Sequence, residues 1–335
     1  MGKAILTDRP TYTNQQINTI IPNKLADPEY LYYYFATRRD ELLSIGSAGG
    51  VRTPIVSKSS FEAIEIYLPS LVVQRRIASI LCAYDDLIEN NTRRIAILEE
   101  ITRRIYEEWF VRFRFPGHEN VRMVESELGL VPEGWKILPA SVAVHVNPAT
   151  KVPKEGLKHF VAMNCLSDGS MLINGWAMRL GNSGSKFSNG DTLFARITPC
   201  LQNGKTGFVQ FLPDANTTAF GSTEFIVLRS KTLTPEFVYL LARSESFREN
   251  AIKSMSGASG RQRVREACFD TFLLPQPDSR TLSRFTELAR PMFRLVHTLE
   301  KKSANLRTTR DLLLPRLISG ELDVSSLPKL EAAVA

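Results

Sequence analysis

Cysteine is scarce: 335 residues hold four, at positions 82, 165, 200 and 268, and no two form a Cys-x-x-Cys pair. That spacing excludes a disulfide framework and a thiolate zinc site, and predicts a chain at home in a reducing, prokaryotic-type cytoplasm. The histidines (His118, His145, His159, His297) stand alone, with no H-x-H or H-E-x-x-H on which to build a metal centre. No apolar run approaches the ~18–20 residues of a membrane span, and the N-terminus lacks a basic-then-apolar secretory pattern. Neither G-x-x-x-x-G-K-S/T nor a G-x-G-x-x-G after a strand occurs. The Asn/Asp-Pro-Pro-Tyr/Phe tetrapeptide of amino-methyltransferases is missing, and Pro213-Asp214 is not followed by the Glu-x-Lys of metal-dependent nucleases. Together these absences leave no catalytic centre and point to a chain that does no chemistry itself. A nuclease or methyltransferase with an unrecognised active site is the competing reading. What is present is an ordinary globular composition, 43% hydrophobic and 23% charged, enough for one or two sizeable cores. Its 42 Lys+Arg against 35 Asp+Glu leave a net charge of +7, which permits nucleic acid as a partner without requiring it.

The chain repeats itself. Asp27-Pro28-Glu29-Tyr30-Leu31-Tyr32 is echoed 207 positions later by Thr234-Pro235-Glu236-Phe237-Val238-Tyr239. Ser47-Ala48-Gly49-Gly50 with Arg52 matches Ser256-Gly257-Ala258-Ser259-Gly260 with Arg261, and Ile66-Tyr67-Leu68-Pro69 matches Phe272-Leu273-Leu274-Pro275. Gly204-Lys205 before Gly207-Phe208-Val209 resembles Gly2-Lys3 before Ile5-Leu6, which places Met1 inside a unit. By the repeat period, about 70 to 80 residues of a complete first unit are expected to be missing.

Each copy runs into a long helix. From Gln74 to Phe115 there is neither proline nor glycine, and Pro116-Gly117 supplies the stop. Ile77, Tyr84, Asn91, Leu98 and Ile105 recur every seven residues, with Ile80, Leu87 and Ile101 on an adjoining row. Phe285, Met292, Leu299, Leu306 and Leu313 repeat the spacing, with Leu288 and Leu295 beside them. These are coiled-coil-like seams, and two matched seams predict antiparallel helices that pair with each other. The plainer alternative is that each helix caps its own domain. Residues 75–110 as a helix span roughly 54 Å, a length suited to a spacer. Pro291 is expected to kink or delay the second helix.

Between the helices the pattern is mixed. Thr192-Leu193-Phe194-Ala195, Gly207-Phe208-Val209-Gln210-Phe211 and Phe225-Ile226-Val227-Leu228 are strand-like runs. Thr234 is placed to cap a helix begun by Pro235. The fold class is therefore α/β of the α+β type, with mixed strand/helix domains, long antiparallel helices and a pseudo-twofold internal repeat. Arg196 and Thr198 follow a strand, Lys205 ends a turn, and Arg261, Gln262 and Arg263 follow a glycine- and serine-rich loop. Such residues are what contacts to phosphates and base edges require. In the first copy Arg52 and Thr53 hold the corresponding place. Ordinary solvated loops have the same composition. Trp109, Phe110 and Arg112, near one end of the first helix, fit a partner-docking surface, although the two aromatics fit a core equally well.

Several segments together resemble the specificity subunit of type I restriction–modification systems. They are Thr13-Asn14-Gln15-Gln16-Ile17 leading to Asp27-Pro28-Glu29-Tyr30-Leu31, Leu68-Pro69 before Gln74-Arg75-Arg76-Ile77, and Glu107-Glu108-Trp109-Phe110-Val111-Arg112-Phe113. Val131-Pro132-Glu133-Gly134-Trp135 and Leu313-Leu314-Pro315-Arg316-Leu317-Ile318-Ser319-Gly320 complete the likeness, which covers nearly the whole chain. The resemblance implies two target-recognition domains, each reading half of a bipartite, gapped site in double-stranded DNA. It implies conserved helices that fix the gap and dock methyltransferase subunits, two of them expected. It assigns S-adenosylmethionine to those partners, ATP and Mg to restriction subunits, and no cofactor, metal or membrane contact to this chain. The expected division is 1–73 for a partial first recognition domain, 74–115 for the first spacer helix and 116–278 for the second domain. A second spacer helix at 279–320 and a tail at 321–335 follow. A chain that begins inside its first domain is further expected to be able to pair with itself.

Overall fold

The computed structural model describes residues 4–47, 55–258 and 260–325. Two compact units emerge, Met1–Thr92 with Glu300–Ala335, and Arg93–Leu299. Two long helices, Leu71–Tyr106 and Ser279–Ile318, each contribute a stretch to both units. Among the described residues no helix is long and apolar enough to cross a membrane.

The first unit is built on the helix Pro28–Thr37. Asp27 caps it by accepting from the Tyr30 amide at 3.1 Å, and Pro28 occupies the first turn, where no backbone donor is needed. Tyr30, Leu31, Tyr33, Tyr34 and Phe35 are buried with Ile77, Ala78 and Leu81 of the first long helix and Leu317 of the second. Gln74 has no exposed surface. Its Oε1 accepts from the Asp27 amide at 2.9 Å, while its Nε2 donates to the carbonyls of Leu25 and Pro69 at 2.9 and 2.8 Å. One side chain thus fastens the start of the long helix to the cap of the short one. Arg76 donates to the Val324 carbonyl at 3.2 Å, and Arg310 pairs with Asp85, so the helices run antiparallel within this unit.

The second unit is mixed. One sheet has the order Val144–Val146, Phe225–Ser230, Thr192–Ala195, Thr206–Phe208, with every pairing antiparallel. The other has the order Ala177–Arg179, Lys158–Val161, Thr218–Gly221, Ser185–Ser188, and its middle pairing is parallel. Phe225–Ser230 is apolar at successive positions because both of its faces are covered. Phe225 and Val227 join a cluster with Val161, Phe187 and Leu193, whereas Ile226 and Leu228 join Phe194, Phe237 and Phe285 in the main core. The expected strand over Gly207–Phe211 is shorter, ending at Phe208. Leu273–Gln276 pairs with Lys136–Pro139 and so ties the unit's last strand to one near its beginning. Thr234 does hold the N-cap position of Pro235–Arg243, but its hydroxyl accepts from Thr286 Oγ1 at 3.2 Å rather than from the helix.

The heptad seams need a shift. The rows through Ile77 and Phe285 do face inward, but their companions are Leu81, Ile88, Ile95, Thr102 and Trp109, and Ala289, Val296, Ser303, Arg310 and Leu317, all buried or half-buried. The rows expected inside are exposed instead at Leu87, Ile101, Leu288 and Leu295. The companion row lies four residues after the first, not three, in both helices. Pro291 does not delay the second helix, which runs unbroken from Ser279.

The first long helix ends in a π turn over Glu107–Val111, closed by the Arg112 amide donating to the Glu107 carbonyl at 2.9 Å. The wider turn directs Tyr106, Trp109 and Phe110 inward together. Phe110 meets Phe237 at 4.7 Å and Phe285 at 4.9 Å between ring centroids. The partner-surface expectation for Trp109 and Phe110 is thereby corrected: both are core residues of the second unit. Arg112 remains exposed and pairs with Glu108 at 2.5 Å.

Candidate nucleic-acid interface

Strand Thr192–Ala195 delivers Arg196 and Thr198 to the surface, and the loop 256–265 runs beside them. The Thr198 amide donates to the Gln262 carbonyl at 3.1 Å, and the Gln262 amide donates back to Thr198 Oγ1 at 3.2 Å. Val264 N donates to the Arg196 carbonyl at 2.9 Å. Arg263 and Ser256 exchange backbone hydrogen bonds at 2.9 and 3.0 Å. Arg196, Thr198, Arg261, Gln262 and Arg263 therefore sit in one hydrogen-bonded patch, although about 65 positions separate its two segments in the chain. Gly257, at φ +125°, makes the bend on which this loop depends.

Each cation in the patch has a distinct setting. Arg196 points its Nη1 at Glu266 at 3.0 Å and its Nη2 at the Val264 carbonyl at 3.2 Å, leaving a buried Nε without a partner among the described residues. Arg263 grips Glu224 side-on, Nε to Oε2 at 2.9 Å and Nη2 to Oε1 at 2.6 Å. This guanidinium holds the Glu224 carboxyl below its usual range. Arg261 is exposed, and its side chain has no partner among the described residues. Lys205 is not part of the patch. Its ammonium donates to the Leu166 carbonyl at 2.8 Å and lies 3.4 Å from Asp168, where it braces an internal turn. Arg52 and Thr53 lie outside the described residues.

Next to the patch opens a cleft of about 650 Å³, lined by Lys151, Lys186 and Arg196 with Thr150, Ser185 and Thr223, and by no carboxylate. Gly184 is required in its wall: φ is +109°, and a Cβ there would lie 2.0 Å from the Gly221 carbonyl oxygen. Arg229 supports the opposite wall, bonding Thr150 Oγ1 at 3.0 Å while pairing with the buried Asp191. Sequence reasoning missed Lys151 and Lys186. They come from segments 35 positions apart and carry no local signal; only the sheet places them on one cleft.

Residues 1–100 match the family described as "Type I restriction modification DNA specificity domain". The type I restriction enzyme MjaIX specificity subunit of Methanocaldococcus jannaschii is 26% identical over an alignment covering 98% of this chain and 76% of that protein. Its first 100 residues thus match the type I specificity domain, and nearly the whole chain is similar to a type I specificity subunit. The MjaVIII specificity subunit of the same organism is 21% identical across 97% of this chain and 77% of its own length. The specificity-subunit fold is matched as well. The crystal structure of the type I restriction–modification S subunit from M. genitalium superposes with a TM-score of 0.53 at 12% identity, covering 88% of this chain and 73% of that one.

Proposed function

We propose that this chain is the DNA-specificity subunit of a type I restriction–modification complex, reading a bipartite, gapped site in double-stranded DNA and carrying no catalytic centre of its own. The observation that carries this is the match of 98% of the chain to a type I specificity subunit. The second unit supports it with a surface where Arg196, Thr198 and the loop 256–265 meet a cleft holding two lysines and no carboxylate. In this reading Arg261, Lys151 and Lys186 contact phosphates, which hold the duplex in register without selecting a sequence. Methyltransferase subunits dock on the long helices. Support comes from the second unit, where Ile97 and Ile101 of one helix and Leu288 and Leu295 of the other are exposed large apolar side chains on otherwise polar faces. Two such subunits bring S-adenosylmethionine, and restriction subunits bring ATP and Mg.

The test is to co-express the chain with its cognate methyltransferase subunit and map methyladenine across the host genome. A gapped motif is the expected result. An asymmetric motif means that two different halves are read, and a symmetric one means that one reader is used twice through self-pairing. No methylation together with no co-purification of the methyltransferase overturns the proposal.

A further inference from the structure

Among Arg196, Lys205, Arg261 and Arg263, only Arg263 is both held by a carboxylate and left with a paired edge to offer. Lys205 is turned inward, and Arg196 has its Nη1 and Nη2 engaged by Glu266 and a backbone carbonyl. Arg261 has no partner among the described residues to set its direction. Arg263 differs. Its backbone is bonded to Ser256 on one side and bridged to Ile197 on the other. Its guanidinium is gripped by Glu224, whose own carbonyl accepts from the Arg196 amide at 3.0 Å.

The grip is side-on and uses Nε–H and one hydrogen of Nη2. A guanidinium carries five N–H donors in a planar fork. The end-on edge, formed by Nη1 and the second hydrogen of Nη2, is left over, and no partner for Nη1 occurs among the described residues. The side chain is half exposed, and this edge is the part of the guanidinium that no described residue engages. Two parallel donors require two adjacent acceptors. In the major groove only guanine presents that pair, O6 and N7; adenine sets a donor beside N7, and cytosine offers a donor. A phosphate also presents two acceptors, but Glu224 already neutralises this arginine. The pair has no net charge with which to draw an anion, while a neutral base edge is unaffected by that loss.

We propose that Arg263, held side-on by Glu224, reads a guanine in the half-site recognised by the second unit, with Glu224 as its positioning residue. This rests on the DNA-reading function proposed above and adds to it the base and the residue pair.

The full-length chain is used to select from a randomised duplex DNA pool, alongside Arg263→Lys, Arg263→Ala and Glu224→Gln. Wild type is expected to enrich a motif with a guanine that Arg263→Ala loses at that position alone, by about fivefold to 150-fold in preference, and that Arg263→Lys keeps only in weakened form. Glu224→Gln, which keeps an acceptor but not the charge, is expected to weaken the same position only; a purely structural role would lower binding to all sequences alike. Replacing that guanine by 7-deazaguanine in a fixed duplex removes N7 without changing base pairing, and is expected to weaken wild type more than Arg263→Lys, which has lost the planar paired contact. This arm decides the matter even if the alanine variant fails to fold. An unchanged motif in the variants, a uniform loss across sequences as for a phosphate contact, or indifference to 7-deazaguanine at every guanine overturns the proposal and leaves the DNA-reading function standing. Failure of wild type to enrich any motif removes that function and this proposal with it.

Discussion

At the scale of single residues, the second unit accepts one costly group. Glu99, on the first long helix, is half-buried against the loop at Ser170–Met171, and its Oε1 accepts from the Met171 amide at 2.6 Å and Ser170 Oγ at 2.8 Å. Burial pushes its carboxyl above the usual range, and those two hydrogen bonds only partly offset that. The folded protein therefore favours the neutral acid. That advantage is complete below the ordinary carboxylate pKa and is lost as pH rises through the raised folded value, because the native state binds more protons than the unfolded chain in that window. Glu99→Gln keeps an acceptor for both donors and has no charge to desolvate. Thermal unfolding from about pH 4 to neutrality should show the variant gaining on wild type as pH rises, then levelling off. A difference that does not change with pH would refute this account of the carboxyl.

At the scale of elements, the seven-residue repeat made both long helices legible, and Asp27-Pro28 and Thr234-Pro235 marked the two short helices that precede them. Seam register was harder to read because the first helix is apolar on three rows. Ile80, Leu87 and Ile101 compete with Leu81, Ile88 and Ile95 as companions of Ile77, and spacing alone cannot choose between three and four residues. The choice depends on which row meets the opposite helix, and the correct one is disguised by Thr102, Ser303 and Arg310. Of the polar groups on it, Thr102 Oγ1 donates to the Leu98 carbonyl at 2.6 Å and Arg310 pairs with Asp85, while the buried Ser303 Oγ has no partner among the described residues. Phe110 was ambiguous for a related reason, since it lies on neither inward row and a π turn rotates the helix end in a way that no periodicity announces. The contact patch was legible in part, as Arg-rich loops, but the partners that brace Lys205 and fill Arg196 are distant in the chain. The register predicts contrasting costs. Leu81→Ala should destabilise the first unit by about 2–5 kcal/mol in urea unfolding, because it empties a fully buried site. Leu87→Gln, at an exposed position, should stay within about 0.5 kcal/mol. Equal costs would mean that the seam lies on the other row.

At the scale of the whole molecule, the function proposed above puts sequence reading and partner docking on different elements: loops between strands for the first, exposed apolar side chains of the long helices for the second. Within the second unit Leu288 and Leu295 stand seven residues apart and Ile97 and Ile101 four, all exposed, so a partner can lie on them without disturbing the core. Ile101 and Leu288, both exposed in the second unit, are the places to separate the two activities. A double Ile101→Asp, Leu288→Asp chain should unfold within about 1 kcal/mol of wild type, since neither side chain fills the core. Co-purification of the methyltransferase subunit should fall sharply, because two carboxylates would have to be desolvated in the contact. The DNA motif selected by the chain should not change, and neither should the slope of binding affinity against salt, which counts phosphate contacts rather than protein contacts. Arg261→Ala should give the converse: full co-purification, weaker binding to every sequence, and a salt slope reduced by about one. If the helix variant instead retains its partner, docking lies elsewhere on the chain; if it loses motif and partner together, reading and assembly depend on one another in a way that separate elements do not explain.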